Sequence, residues 1–152
     1  MKKLNFPPYQ FSIRESHQKY LILDDIRKKY VVLTPEEWVR QHLIRYLSRE
    51  KNYPPTLITI EGGFRIYNTM QRADVIVHNR QGAPLLIAEC KSPEIAVTQH
   101  TFDQAARYNM RWKAPYLLVT NGLDHYCCRI DHKGQSYALL REIPDYVEIR
   151  NL

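Results

Sequence analysis

The chain has 152 residues, 44% hydrophobic and 25% charged, which suits one globular domain with a real core and excludes a disordered or fibrous class. Its 22 lysines and arginines against 16 acids give a formal charge of +6, a balance that suits a polyanionic partner such as nucleic acid. No stretch is apolar and long enough to span a membrane, the Pro-interrupted start Met1-Lys2-Lys3-Leu4-Asn5-Phe6-Pro7-Pro8 is not a secretory signal, and Cys90, Cys127 and Cys128 form neither a disulfide framework nor a zinc spacing, so a reducing cytoplasm is the expected setting.

Residues 1–10 read as an arm. Short extended pieces follow at 11–14, 20–23 and 30–33, around polar Glu15-Ser16-His17-Gln18 and the turn Asp24-Asp25. Residues 1–33 are therefore set apart as an N-terminal arm with short strands, and 34–152 as the main part of one compact domain. Thr34-Pro35-Glu36-Glu37 is a helix start: Thr34 caps, Pro35 fits the first turn, and Glu37 lies three residues past the cap. Val39, Leu43, Tyr46 and Leu47 then form an apolar stripe to about Arg49. Glu36 falls at the edge of that buried face. The plain role of Glu36 and Glu37 is charge near the helix N-terminus, worth up to ~1 kcal/mol.

Asn52-Tyr53-Pro54-Pro55 breaks the helix, 57–60 begins a sheet, and Gly62-Gly63 is expected to bend it. The run 71–78 is a strand with Asp74 near its start, and Arg72 on the same face is either a surface ion-pair partner or a phosphate contact. After the turn cluster 79–84 comes the apolar strand Leu85-Leu86-Ile87-Ala88-Glu89-Cys90-Lys91, closed by Ser92-Pro93. Alternation puts Glu89 and Lys91 on one face and Cys90 on the other. Antiparallel pairing of the two strands brings Asp74 beside Glu89 and Lys91. Two carboxylates and a lysine at one sheet end suit a divalent metal site with an adjacent cation, the alternative being a buried Glu89–Lys91 ion pair.

A second helix is expected from 96 or 97 to about Trp112, with Gln104 and Tyr108 one turn apart on one face. Pro115 ends it. The strand 116–120, the turn Asn121-Gly122, and a hairpin of 126–130 with 137–140 complete the chain. The fold class is α/β (α+β): a mixed sheet flanked by helices. His42 and His78 look structural or exposed, His125 receives no role, and no hydrolase triad or phosphate-cradling glycine loop is present.

Asp74 followed by Glu89-Cys90-Lys91 resembles the PD-(D/E)XK nuclease signature, with Ala73 where a proline often precedes the aspartate. Thr34-Pro35-Glu36-Glu37-Trp38-Val39-Arg40-Gln41, Arg72-Ala73-Asp74, Ala88-Glu89-Cys90-Lys91, Gln104-Ala105-Ala106-Arg107-Tyr108-Asn109 and Thr120-Asn121-Gly122 are together similar to the N-terminal nuclease domain of type I restriction enzyme R subunits, over about residues 33–129. The resemblance implies a restriction-endonuclease-like fold and a Mg²⁺-dependent endonuclease acting on DNA, with Mn²⁺ as a substitute. It implies Asp74, Glu89 and the Cys90 carbonyl as metal ligands, with a further carboxylate from Glu36, or from Glu37 as the fallback. Lys91 would orient water or neutralise charge on the phosphate, and Gln104 would point towards the site and DNA. R subunits carry an ATP-driven translocase after this domain. As this chain ends at Leu152, the expectation is a small stand-alone form that acts alone, as a homo-oligomer, or with separate restriction-modification subunits. The alternatives are a nuclease-like module that binds nucleic acid without cutting, and a scaffold with no nucleic-acid role.

Overall fold

A computed structural model of the chain describes residues 1–66 and 69–151, and side chains outside 61–72. Alternating apolar residues near the N-terminus pair into a three-stranded antiparallel sheet of β1 (Ile13–Ser16), β2 (Lys19–Asp24) and β3 (Lys29–Val32). The tight β1–β2 turn puts His17 and Gln18 both in the left-handed region, at φ 51° and 65°. Helix α1 (Pro35–Arg49) follows, and the Thr34 side chain caps it by accepting from the Glu37 N–H. A 3-10 turn over Pro55–Leu57 leads into β4 (Ile58–Ile66), β5 (Thr69–His78) and β6 (Pro84–Cys90). Helix α2 (Gln99–Asn109) crosses to β7 (Tyr116–Thr120), then come β8 (His125–Asp131), β9 (Ser136–Leu139) and the short α3 (Tyr146–Ile149).

The larger sheet has the order β4-β5-β6-β7-β8-β9, parallel between β6 and β7 and antiparallel elsewhere. The α2 crossover allows the parallel pair. Each face of this sheet carries a core. On one, Val39, Leu43 and Leu47 of α1 pack with Val75, Val77, Leu86 and Ala88. On the other, Phe102, Trp112 and Ala114 pack with Ile76, Ile87, Leu117 and Val119. Leu43, Leu47, Leu86 and Leu118 are fully buried, each worth about 1.5–3 kcal/mol of transfer free energy.

Four expectations change. The strand does not end at Gly62-Gly63: β4 stays paired with β5 through Gly62↔Ala73 and Gly63↔Arg72, because the ladder's hydrogen bonds need no side chain. Since β5 starts at Thr69, Asp74 stands mid-strand rather than near the strand's start. Helix α2 starts at Gln99, where the Thr98 hydroxyl caps it, and stops at Asn109, whose amide donates to the Ala114 carbonyl at 3.2 Å. The N-terminal segment is docked rather than loose. Leu4 is buried, the Asn5 N–H donates to the Gly122 carbonyl at 2.8 Å, and Phe6 stacks beside His42 and His125. At Gly122, with φ +87°, an added Cβ would come within 2.8 Å of the Leu4 side chain, so glycine serves both the turn and this close approach. The expected phosphate contact of Arg72 falls on a side chain outside the described residues.

Candidate active site

The paired register of β5 and β6 runs from His78 opposite Pro84 to Val75 opposite Ala88, and Asp74 and Glu89 follow directly beyond that last pair. The Asp74 carboxylate accepts the Cys90 backbone N–H at 2.8 Å, which fixes its direction across the strand gap. The end of β6 is held from the other side by β7, with Cys90 opposite Thr120 and the Lys91 N–H donating to the Thr120 carbonyl at 2.8 Å. Asp74 on β5 and Glu89 and Lys91 at the end of β6 are thus backed by β7, a rigid base for a site.

Two adjoining pockets meet at Glu89 and Lys91. The first, about 380 Å³, lies towards α1 and is lined by Glu36, Glu37, Arg40, Asp74, Glu89 and Lys91 among others. The second, about 310 Å³, lies towards α2 and adds Thr101, Gln104, Ala105 and Tyr108. The Gln104–Tyr108 pair therefore faces the same strand end as Glu89.

The electrostatics of the two α1 glutamates differ from what the sequence suggests. Glu36 is exposed and lines the cleft. Glu37 is buried and receives hydrogen bonds from Arg27 (2.8 Å), Arg40 (2.6 and 3.0 Å) and Gln41 (2.9 Å). Burial opposes its charge, but the bonds from Arg40, Gln41 and Arg27 prevail and hold its carboxyl down to about 2. Glu37 is thereby committed to its cations. Arg40, which sequence reasoning used only as a reference point, turns out to line the cleft and to donate to the Asp74 carbonyl at 3.4 Å. The signal was the Glu37, Arg40, Gln41 spacing on one helix face.

Glu89 has the opposite environment. Loss of hydration, then the neighbouring Asp74 charge, push its carboxyl up to about 7 against the pull of Lys91. The Lys91 ammonium stands 3.6 Å from Glu89, too long and too exposed for a tight pair. Burial pushes the Cys90 thiol well up. Among the described residues no group of three or more His, Cys, Asp or Glu side chains gathers as a metal-binding cluster, so Glu36 shares the cleft with Asp74 and Glu89 without completing a triad. The donor set still fits one hard cation. Mg²⁺ takes one or two carboxylates and fills its remaining positions with water and phosphate oxygens, and a cation here would offset the repulsion that raises Glu89.

The family described as the N terminus of the type I restriction enzyme R protein matches residues 35–144. The chain belongs to that family. A solved fragment described as an HsdR subunit of a type I restriction enzyme from Vibrio vulnificus YJ016 superposes with a TM-score of 0.56 at 21% identity, over 78% of this chain. This chain spans 25% of that one, and at this identity the likeness speaks for the fold alone. No curated protein matches. The mixed α+β fold of this chain is consistent with the restriction-endonuclease-like architecture expected above, and no helix among the described residues is long and apolar enough to cross a membrane.

Proposed function

We propose that this chain is a Mg²⁺-dependent endonuclease of the PD-(D/E)XK type that hydrolyses DNA phosphodiester bonds. The observation that carries the reading is one cleft where Asp74, Glu89 and Lys91 converge at a strand end with Gln104 above them, and where Glu89 is held away from its ordinary charge. Asp74 and Glu89, with the Cys90 carbonyl, would hold the cation, and Glu36 could reach it through water. When bound, Mg²⁺ polarises the phosphate and lowers the pKa of its water. Lys91 points its ammonium into the cleft, where it stabilises charge growing on the phosphate or orients the attacking water. Gln104 positions the sugar–phosphate chain by hydrogen bonding. Arg40 holds the backbone behind Asp74. DNA is the partner of this cleft, and further restriction-modification subunits, a second copy of the chain, and a cytoplasmic setting belong to the same proposal.

The test uses purified protein with duplex DNA and Mg²⁺ at low salt, where a basic surface gains most from counterion release. The expected result is strand breaks that EDTA abolishes. Lys91→Ala stops cutting and keeps most of the DNA affinity, since one cation among several phosphate contacts changes binding slightly. Glu89→Gln replaces an anionic donor by a neutral one, so excess Mg²⁺ or Mn²⁺ partly restores it. Binding without cutting, on DNA and RNA with both metals, supports the second reading, a silent nuclease-like module. The absence of a third gathered ligand among the described residues is the observation in its favour. Cutting that survives Lys91→Ala combined with Asp74→Ala overturns the mechanism.

A further inference from the structure

The family match begins at the first residue of α1 and leaves the three-stranded N-terminal sheet outside it. Seven of the 22 basic residues but only three of the 16 acidic ones fall in residues 1–33. The sheet sorts these charges by face. Cross-strand partners share a face, so Ile13, Ile22 and Val31 lie together with the Glu15–Tyr20 and Asp24–Lys29 pairs. Ile22 and Asp24 are fully buried, which marks this face as the one turned inward. The other face holds Arg14, Ser16, Lys19, Leu21, Leu23, Tyr30 and Val32, and no carboxylate. Arg14 and Lys19 are exposed there, and Lys28 is exposed at the adjoining β2–β3 turn.

Of the three acids of this region, Glu15 lies on the opposite face and the two aspartates are held by other partners. Asp24 accepts from the Ile26 and Arg27 N–H groups, from the Arg27 guanidinium at 2.6 Å and from Gln41 at 3.0 Å. Asp25 pairs with Arg45 at 3.0 Å. The outer face also fixes its own cation. The Arg14 guanidinium lies 4.0 Å above the Tyr30 ring, and the Tyr30 hydroxyl is bonded to Ser12 at 2.8 Å. A stacked guanidinium has already given up part of its side-chain freedom, and its edge still presents N–H donors to phosphate.

We propose that the outer face of this N-terminal sheet, with Arg14, Lys19 and Lys28, is a second contact surface for the sugar–phosphate backbone of duplex DNA. It rests on the nuclease reading for the identity of the polyanion. Its charge is uniformly positive, so it reads phosphate spacing rather than base sequence. Its connection to the cleft is mechanical: Asp24 holds Arg27, Arg27 holds Glu37, Glu37 holds Arg40, and Arg40 donates to the Asp74 carbonyl. The surface and the cleft therefore keep a fixed relation, and a duplex gripped by the sheet enters the cleft in one register.

Fluorescence anisotropy of a labelled duplex, measured in EDTA over a range of salt, tests this without any cutting. The triple variant Arg14→Gln, Lys19→Gln, Lys28→Gln should make the slope of log affinity against log salt shallower by about 2–3, roughly one per lost phosphate contact. A control with equal charge change, Lys133→Gln, Arg141→Gln, Arg150→Gln, should retain the slope of the unsubstituted protein; these three cations are exposed and lie outside the sheet. Equal slopes for the two triples overturn the surface, as does binding of the unsubstituted protein to phosphatidylserine vesicles with none to DNA. If the slope falls only in the sheet triple and the unsubstituted protein never cuts with Mg²⁺ or Mn²⁺, the surface stands and the nuclease reading fails. If cutting is present and the slopes are equal, the nuclease reading stands and the surface fails.

Discussion

Two clusters of acid and base lie side by side at the start of α1, built from the same side-chain types and tuned in opposite directions. In the first, Glu37 is surrounded by Arg27, Arg40 and Gln41, and its carboxyl is held down to about 2. In the second, Glu89 has the Lys91 ammonium at 3.6 Å, and burial and then the Asp74 charge push its carboxyl up to about 7. Both glutamates lose hydration on folding, so burial does not separate them. The difference is the count of cationic donors at hydrogen-bond distance, several for Glu37 and none that close for Glu89. A satisfied buried carboxylate holds structure together, whereas an under-compensated one favours any cation that arrives.

The sharpest way to break this contrast is to remove each glutamate in turn. Glu37→Ala removes the buried carboxylate that Arg27, Arg40 and Gln41 share and should cost about 3–5 kcal/mol in urea unfolding. Glu89→Gln should leave stability unchanged or slightly higher without metal, because it removes the charge that repels Asp74. Equal losses for both would erase the distinction.

Acid titration sharpens the same contrast with a sign. Glu37 has a depressed folded pKa, so its stabilisation is present above its ordinary value near 4.5 and is lost as pH falls towards about 2. Glu89 has a raised one, so its contribution is full below about 4.5 and is lost as pH rises through about 7. Urea midpoints should therefore climb as pH falls from 8 to 5, and drop below 4. Glu89→Gln should flatten the upper limb and leave the acid limb intact. An upper limb that persists in that variant would assign it to other groups.

Smaller effects follow at the margins of the two clusters. Gln104→Ala should weaken cleavage several-fold while stability moves by no more than ~0.5 kcal/mol, because the residue is exposed on α2. Cleavage unchanged at unchanged stability would make Gln104 an ordinary surface residue. In the sheet that the Glu37 network anchors, His17→Asn with Gln18→Gly should raise stability by about 1 kcal/mol, since both residues occupy the left-handed region that Asn and Gly enter at low cost. A fall in melting temperature would instead mean that these side chains make contacts worth more than the strain.

Much of the fold was legible in the sequence because its signals are local. Thr34-Pro35 states where α1 begins, and two strands around a short turn state that β5 and β6 pair antiparallel. The surroundings of those residues were not legible. The capture of Glu37 depends on Arg27, ten residues away in a turn, and on the buried end of β2. Leu4 and Phe6 lack any periodic neighbourhood, so their docking against Gly122 and His125 is visible only in three dimensions. The pairing of β4 beyond the glycines at 62 and 63 was not legible either, because propensity is a weak guide in a strand that has partners.

The parallel pairing of β6 with β7 also has a consequence in time. Every other strand pairing among the described residues joins antiparallel neighbours in sequence, but the bond from the Lys91 N–H to the Thr120 carbonyl closes only after α2 has crossed over. Closing that loop costs entropy before the contact rewards it. On a ribosome, the β4–β5–β6 meander can form while α2 is still in the exit tunnel, with Asp74 already bonded to the Cys90 N–H but Lys91 untethered. The constellation of charges is thus complete only once β7 has been made.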